Sequence, residues 1–226
     1  MRFEIKLPVF IIAFIVFGQS LFAQGFFPDD ESKPKSSFIE FKFGTMRPVD
    51  TDKGNLIGFS TGRRLDDRLY WGFEFNHFFS SFQKETTVAE FDSGGINFRD
   101  KQLELDFTTR IVTIFLQISY ELRLDQKSPV YIRASGGGGL ELIWNNENNF
   151  LDNVERTRFF NTFGWQVTSG IGIRISKSGI IFFDGLYNSA IATKKLEPQN
   201  GLPTFREIDI SGFGLRVGVN VFGVGL

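Results

Sequence analysis

Residues 68–82 read RLYWGFEFNHFFSSF, and seven of these fifteen residues are aromatic. Over residues 69–76 the large apolar side chains occupy every second position. One set comprises Leu69, Trp71, Phe73 and Phe75, and the other comprises Tyr70, Gly72, Glu74 and Asn76. Because successive side chains of a β-strand point to opposite faces, this spacing predicts a strand with one apolar and one mostly polar face.

The same alternation recurs along the chain, whereas helical spacing is scarce. It predicts eight strands, at residues 39–43, 57–62, 69–76, 112–123, 132–144, 165–175, 181–188 and 213–221. The chain also contains 29 Phe in 226 residues, which indicates extensive apolar faces to be covered. We therefore predict an all-β protein.

The connections between these strands alternate in length. Short connections are predicted at residues 63–67, 125–129 and 176–179. The connection at residues 47–55 is modest, and longer ones are predicted at residues 80–102, 145–158 and 193–207. The first of these long connections contains DSGG from Asp92, a hairpin signal that suggests a tall hairpin. Short turns at one end and long loops at the other are typical of outer-membrane barrels.

The N-terminal composition predicts export. Residues 1–23 combine a basic start, an apolar run and a small residue at Ala23, as in a signal peptide. An uncleaved anchor remains the alternative. Residues 24–37 are predicted to be a flexible lead-in and residues 38–226 the barrel domain. The chain has no Cys, which excludes disulfides, zinc–thiolate sites and a lipidated cysteine, and a net charge of −1, so no nucleic-acid partner is expected.

Alternation alone also fits a soluble eight-stranded ligand-carrying barrel or a sandwich. Charges in mid-strand on the polar face favour a membrane barrel, because the narrow interior of eight strands is filled by side chains that can pair there. The glycines of the same face make room for those side chains. We therefore predict an eight-stranded antiparallel up-and-down transmembrane β-barrel in the outer membrane of a diderm bacterium.

Two groups of residues follow from this barrel. A structural polar network is predicted in the lumen, formed by Glu74, Gln117, Arg133, Arg174, Asp184 and Arg216. Interfacial aromatics are predicted at both membrane surfaces, with Trp71 and Tyr120 near the short turns, Trp144 closing one strand and Trp165 opening the next on the long-loop side.

The signal peptide, eight amphipathic strands and short turns resemble the small outer-membrane barrels of the OmpA, OmpX and OmpW type. The resemblance covers residues 38–226 and is one of pattern. The expected barrel departs from full-length OmpA in having no periplasmic domain, and from many such barrels in having Leu226 where they have a C-terminal aromatic residue. Phe222 is the nearest aromatic candidate for the assembly signal. The partners that the resemblance implies are outer-membrane lipids, including lipopolysaccharide, and the barrel assembly machinery. The long loops are candidate sites for an extracellular ligand.

His77 is the only histidine and the first candidate for catalysis. Outer-membrane lipid A deacylases resemble this chain in architecture and carry an H-x-S pattern, but here Phe79 occupies the serine position. Ser80 falls on the opposite face of a regular strand. The glycine run at residues 136–139 is not followed by Gly-Lys-Ser/Thr, as a phosphate loop would be. No catalytic, cofactor or metal site is predicted, although calcium bound by loop carboxylates stays open.

Three functions are compatible with this sequence. The first is a non-enzymatic barrel that supports membrane integrity or surface interaction through its extracellular loops. The second is a narrow transporter for small hydrophobic molecules, as the OmpW-type resemblance implies. The third is a lipid A-modifying enzyme.

Overall fold

The computed structural model describes residues 37–66, 68–93, 96–123, 128–199 and 202–224. The predicted signal peptide, and the lead-in up to residue 36, lie outside the described residues. Ser37, predicted to end the lead-in, is instead the first residue of a strand, since its neighbours pair with both adjacent strands of the sheet.

Ten strands form the described part of the chain. They are β1 Ser37–Pro48, β2 Gly54–Arg64, β3 Leu69–Ser93, β4 Ile96–Arg123, β5 Val130–Asn149, β6 Val154–Arg174, β7 Gly179–Ser189, β8 Ile191–Gln199, β9 Leu202–Asp209 and β10 Gly212–Phe222. Eight of them form a closed barrel in the order β1-β10-β7-β6-β5-β4-β3-β2, and every neighbouring pair is antiparallel. All eight predicted strands lie in this barrel, so the predicted fold class is confirmed.

The first and last barrel strands close the cylinder. They pair continuously from Phe38 opposite Phe222 to Pro48 opposite Gly212. Closure satisfies the backbone N–H and C=O groups that an open sheet edge would leave unpaired, which is a requirement inside a bilayer. Along each strand, successive side chains point alternately into the lumen and out of the barrel, as the alternation in the sequence predicts.

The long connections differ from the sequence prediction in two places. The connection at residues 80–102 is the predicted tall hairpin, because β3 and β4 stay paired up to Ser93 and Ile96. The prediction of a loop at residues 145–158 is wrong, since β5 continues to Asn149 and β6 begins at Val154. The predicted loop at residues 193–207 is mostly the β8–β9 hairpin. Strands that extend into water no longer need one apolar face, so their alternation ends while their hydrogen bonds continue.

The barrel wall is uneven in height. The four adjacent strands β3, β4, β5 and β6 have 25, 28, 20 and 21 residues. The other four have 11 or 12 residues. A tilted crossing of a bilayer takes about 9–11 residues. The long strands therefore rise beyond the membrane on one side of the barrel, which we define as the extracellular side because the short turns of such barrels face the periplasm.

The β8–β9 hairpin emerges from the opposite side of this rim. Its base is hydrogen-bonded to the barrel, because Thr162 Oγ1 of β6 donates to the Ile191 carbonyl at 2.8 Å. The Ile210 amide donates to the Ala190 carbonyl at 3.0 Å and so joins the two ends of the hairpin. The Asp209 amide donates to Asp50 Oδ2, in the segment after β1, at 2.7 Å. The hairpin is thus anchored on two sides of the extracellular mouth.

Two of the short connections form tight turns at the periplasmic end. The Leu65 amide donates to the Leu69 carbonyl at 2.8 Å, and the Ile175 amide donates to the Gly179 carbonyl at 3.0 Å. The third, predicted at residues 125–129, lies largely outside the described residues. Among the residues that the structure describes, no helix is long and apolar enough to cross a membrane.

Candidate functional site

Six charged side chains form a closed ring at the middle of the lumen, which we call the charge ring. Its members, in order around the ring, are Glu40, Lys42, Glu74, Arg216, Asp184 and Arg133. Lys42 Nζ lies 3.1 Å from Glu40 Oε2 and 2.7 Å from Glu74 Oε2. Arg216 lies 2.6 Å from Glu74 Oε1 and 3.7 Å from Asp184 Oδ2. Arg133 closes the ring, 2.6 Å from Glu40 Oε1 and 3.9 Å from Asp184 Oδ1.

The charge ring alternates in sign, so each carboxylate contacts two cations and each cation contacts two carboxylates. All six side chains are buried. Moving a charge from water into the protein has a desolvation cost of roughly several kcal/mol per ion, even after the surroundings relax. Alternation compensates this cost because no member has only one partner. The ring also has no net charge, since it contains three acids and three bases.

Glu74 is the most completely coordinated member of the ring. Besides its two cations, its Oε1 accepts hydrogen bonds from Asn76 Nδ2 at 2.8 Å and from Gln166 Nε2 at 2.9 Å. Gln166 lies on β6 and Glu74 on β3, so this bond crosses the lumen. On the other side of the ring, Asn220 Nδ2 donates to Glu40 Oε1 at 2.9 Å. The lumen is thus filled by side chains that reach each other from opposite walls.

Inward-facing glycines make the ring possible. Gly170 lies between Arg133 and Asp184 on neighbouring strands, and a Cβ atom at this position would lie 2.5 Å from Asp184 Oδ1. A Cβ at Gly58, beside Lys42, would lie 2.3 Å from Asn76 Oδ1. Any larger residue at either site would push these polar side chains out of contact.

The structure places the six predicted lumen residues at two levels. Glu74, Arg133, Asp184 and Arg216 belong to the charge ring, and Gln117 is buried in the lumen on β4. Arg174 lies apart, near the periplasmic end, with its guanidinium 5.0 Å from the centre of the Tyr131 ring. Sequence reasoning missed Glu40 and Lys42 as network members. Their signal was present, because both occupy the polar face of the first predicted strand.

An aromatic cluster lies at the periplasmic end of the lumen, and we call it the lower cluster. It contains Phe38, Tyr70, Tyr131, Ile180 and Phe222. The ring of Tyr70 packs 5.7 Å from the rings of both Phe38 and Phe222. Phe222, which the resemblance pointed to as an assembly signal, therefore faces inward and helps to fill this end.

A second apolar cluster lies at the extracellular end, and we call it the upper cluster. Its members come from seven of the eight barrel strands and from the base of the β8–β9 hairpin: Met46, Leu56, Phe78, Ile111, Ile143, Phe160, Leu186, Ala190, Ala192, Ile208 and Ile210. Because Ala192, Ile208 and Ile210 belong to the hairpin and its joint, the hairpin base covers the mouth. The lumen is thus filled at three successive levels.

A carboxylate lies between the charge ring and the upper cluster. Glu141 is fully buried, and Asn188 Nδ2 donates to its two oxygens at 3.2 and 3.3 Å. Gly164 gives it space, since a Cβ there would lie only 1.9 Å from Glu141 Oε1. No cation among the described residues forms a salt bridge with Glu141. It differs in this respect from every carboxylate of the charge ring.

The outer face of the barrel is apolar around its circumference. On β3 and β4 it presents Trp71, Phe73, Phe75, Ile114, Leu116, Ile118 and Tyr120, all of them exposed. Most outward positions of β6, β7 and β10 are likewise occupied by exposed apolar side chains. Soluble monomers rarely expose contiguous apolar patches larger than a few hundred Å². A continuous apolar belt around a closed barrel is a surface for lipid tails.

The four predicted interfacial aromatics all lie on this outer face. Tyr120 is opposite Leu69, the first residue of β3, and Trp71 is opposite Ile118 nearby. Trp144 packs 5.2 Å from the Phe159 ring and Trp165 packs 5.7 Å from the Tyr187 ring. Neither of the latter two ends a strand, contrary to the prediction, because β5 and β6 continue beyond them into the extracellular extension.

The extracellular extension carries ion pairs between neighbouring strands. Lys101 Nζ lies 2.6 Å from Glu85 Oε2, Lys84 Nζ lies 2.8 Å from Glu104 Oε2, and Arg158 contacts Glu147. The hydrogen bond from Lys84, together with one from Thr86, holds the pKa of Glu104 below its ordinary value. These pairs stabilise a sheet surrounded by water, where screening limits each to a small contribution.

The geometry separates the residues first considered for catalysis. His77 lies on the outer face of β3, opposite Ile57 and Val112, whereas Ser80 is buried on the inner face. A nucleophile and its base must lie within hydrogen-bond reach, which these two faces prevent. Within the described ranges, no group of three or more His, Cys, Asp or Glu side chains could hold a metal ion.

Known proteins resemble the chain in structure. No protein-family model and no curated protein matches it. The crystal structure of Neisserial surface protein A is 14% identical, with a TM-score of 0.51, and the match covers 82% of this chain and 96% of that one. Outer membrane protein OprG from Pseudomonas aeruginosa is also 14% identical, with a TM-score of 0.50 and coverage of 85% and 98%. The outer membrane protease OmpT from Escherichia coli is 11% identical, with a TM-score of 0.42 and coverage of 76% and 64%.

At sequence identities this low, the similarity to these structures shows the fold alone. Closed antiparallel barrels with an apolar outer belt are the form in which β-sheets cross membranes, and they occur in the outer membranes of diderm bacteria. The predicted location, the outer membrane of a diderm bacterium, is therefore the membrane in which this fold occurs. The described chain is an eight-stranded barrel with the fold of the small outer-membrane β-barrel proteins.

Proposed function

We propose that the protein is a non-enzymatic outer-membrane barrel that acts in surface interaction through its extracellular strands. The observation that carries this proposal is the contrast between a lumen filled at three levels and a wall that rises far beyond the bilayer. The barrel supplies a rigid base, and the extension supplies the contact surface.

The size of the extension supports a role outside the membrane. β3 has 25 residues and β4 has 28. With about 11 residues needed for the crossing, roughly 14 residues of β3 remain, or about 45 Å along the strand at 3.3 Å per residue. Because β4, β5 and β6 stay paired beside it up to Asn149 and Val154, the extension is a sheet and presents an ordered surface.

The filled lumen weighs against the narrow transporter. A solute passing through would have to displace the lower cluster, separate the paired charges of the ring and open the upper cluster. Each step removes packing or leaves a buried charge uncompensated, which costs several kcal/mol for the charges alone, roughly as in other buried pairs. An apolar solute could not form hydrogen bonds with the charges that it separates, so the charge ring would oppose the passage of small hydrophobic molecules most.

The test replaces residues 85–104 by Asn-Gly, which joins Lys84 and Leu105 at a position where the two strands are opposite each other. Cells that express the full chain are compared with cells that express this shortened chain, and cell–cell aggregation and adhesion to protein-coated glass are measured. We expect the shortened chain to fold, shown by heat-modifiable gel migration, and to lose aggregation and adhesion. The matched control exchanges the paired charges, Glu85→Lys with Lys101→Glu, and keeps both activities.

Other outcomes would point elsewhere. Unchanged aggregation and adhesion in the shortened variant would overturn the proposal. Stepwise conductance in planar bilayers, or uptake of small hydrophobic molecules, would support the transporter. A changed mass of lipid A on expression would support the enzyme. Increased entry of a hydrophobic dye on deletion of the whole chain, restored by the shortened chain, would assign the protein to membrane integrity.

A further inference from the structure

The lipid-facing surface contains a groove of about 640 Å³ across β1, β10, β7 and β6. Its floor is a row of neighbouring outward residues in which Thr45, Leu215, Gly185 and Ser169 are opposite each other on successive strands. Three of these four are small. The outward rows on either side are bulkier, with Tyr187 above Gly185 and Phe183 below it on the same strand. The groove is therefore a depression in an otherwise full apolar belt.

Gly185 lies in the floor of this depression. A Cβ atom at Gly185 would meet no atom closer than 3.8 Å, the carbonyl oxygen of Ser169. At Gly170, by contrast, a Cβ would meet the Phe183 carbonyl oxygen at 2.0 Å. Packing within the protein thus does not require a glycine at position 185. The space that it leaves faces the lipid.

An aromatic ridge forms the extracellular border of the floor. The rings of Phe213 and Tyr187 lie 4.7 Å apart, and the rings of Tyr187 and Trp165 lie 5.7 Å apart. Aromatic residues with a polar atom are favoured where lipid tails meet headgroups. The border thus separates a floor of mostly small side chains from the mouth of the groove.

Two cations line the mouth of the groove. Arg47 follows Thr45 by two residues on β1, about 7 Å further toward the extracellular end at 3.3 Å per residue. Lys53 immediately precedes β2 at the same end of the barrel. Both are exposed, and neither forms a salt bridge with any residue that the structure describes. Their charge is therefore available to an anion at the level of the outer-leaflet headgroups.

We propose that this groove binds one phosphorylated glycolipid of the outer leaflet, such as the lipid A part of lipopolysaccharide. An acyl chain lies over Gly185 and Ser169, and a phosphate contacts Arg47 and Lys53. The outer leaflet is favoured because both cations lie at the extracellular end, out of reach of a headgroup in the inner leaflet. This inference stands independently of the surface role, since the groove lies on the membrane-embedded wall and not on the extension.

The test measures lipid binding to the purified full chain in detergent by native mass spectrometry. The probes are bis-phosphorylated lipid A, the same lipid without phosphates, and phosphatidylglycerol. Each Lys or Arg near an anionic lipid surface contributes about 1 kcal/mol, so Arg47→Gln with Lys53→Gln should weaken lipid A binding about 10- to 30-fold. The control Lys194→Gln with Lys195→Gln removes two exposed cations from β8 at the same end and should leave binding unchanged.

A second variant tests the acyl site without changing charge. Gly185→Leu fills the groove from an outward position that has room for a side chain, so the barrel should fold with its usual heat-modifiable migration. We expect it to weaken binding of lipid A with and without phosphates. Wild-type affinity in either the double Gln variant or Gly185→Leu would overturn the proposal. Equal binding of phosphatidylglycerol and lipid A would overturn the assignment to the glycolipid.

Discussion

The charge ring and the upper cluster fill the same lumen by opposite means. The ring depends on six charges, each of which needs partners at specific positions, because an unpaired buried charge is costly. The upper cluster depends on volume and apolar character, which many combinations of side chains can satisfy. Two layers of one barrel can therefore differ sharply in their tolerance to substitution.

The largest effect is expected when a ring carboxylate loses its charge. Glu74→Gln keeps the shape of the side chain but leaves Lys42 and Arg216 short of a counter-charge. Breaking a buried pair in this way should lower the free energy of unfolding by about 3–5 kcal/mol. Urea unfolding in lipid vesicles, followed by tryptophan fluorescence, measures it.

Glu141→Gln is the matched control for that substitution. It makes the same chemical change at another fully buried carboxylate, but Glu141 is hydrogen-bonded by the neutral Asn188. We expect the free energy of unfolding to change by no more than about 1 kcal/mol, roughly the net value of one hydrogen bond. Equal losses for the two variants would show that the cations of the ring are not what distinguishes Glu74.

A smaller effect is expected from a change of volume in the upper cluster. Ile143 is fully buried there. Ile143→Val removes one methylene group and should lower the free energy of unfolding by about 0.5–1.5 kcal/mol. The same unfolding measurement checks it. A loss as large as that of Glu74→Gln would contradict the view that this layer tolerates substitution.

The smallest effect concerns a charge outside the membrane. The pKa of Glu104 is lowered by its hydrogen bonds with Lys84 and Thr86. A lowered pKa in the folded state means that the stabilisation is present above the ordinary value of 4.5 and is lost as the pH falls through the lowered pKa. Hydrogen exchange of the β3–β4 extension should therefore become faster under acidic conditions, relative to barrel amides. Glu104→Gln should weaken this pH dependence of hydrogen exchange in the extension. A pH dependence equal to that of the wild type would contradict the role of Glu104.

The sequence predicts the barrel well because one physical rule decides it. Residues 69–76 alternate because one face meets lipid and the other meets the lumen, and the structure has them in that arrangement. The rule fails above the membrane. At residues 145–149 both faces of β5 lie outside the lipid, so Asn and Glu replace the alternation and the strand resembles a loop in sequence.

The pairing within the ring could not be predicted in the same way. Glu40 and Lys42 are visible as inward residues of the first strand, but their partners are Arg133 and Glu74 on other strands. Which residues meet across the lumen depends on the stagger of the strands around the barrel, and a pattern of period two does not contain this stagger. The separation of Arg174 from the ring has the same cause.

The charge ring also has a consequence for how the protein is completed. Its members come from β1, β3, β5, β7 and β10, so it draws on both ends of the barrel sequence. A chain that has assembled all strands except β10 lacks Arg216 and leaves Glu74 and Asp184 each with one cation fewer. Only the complete barrel gives every ring charge all of its partners. A barrel without β10 is therefore destabilised by buried charges that lack a partner, until the last strand is in place.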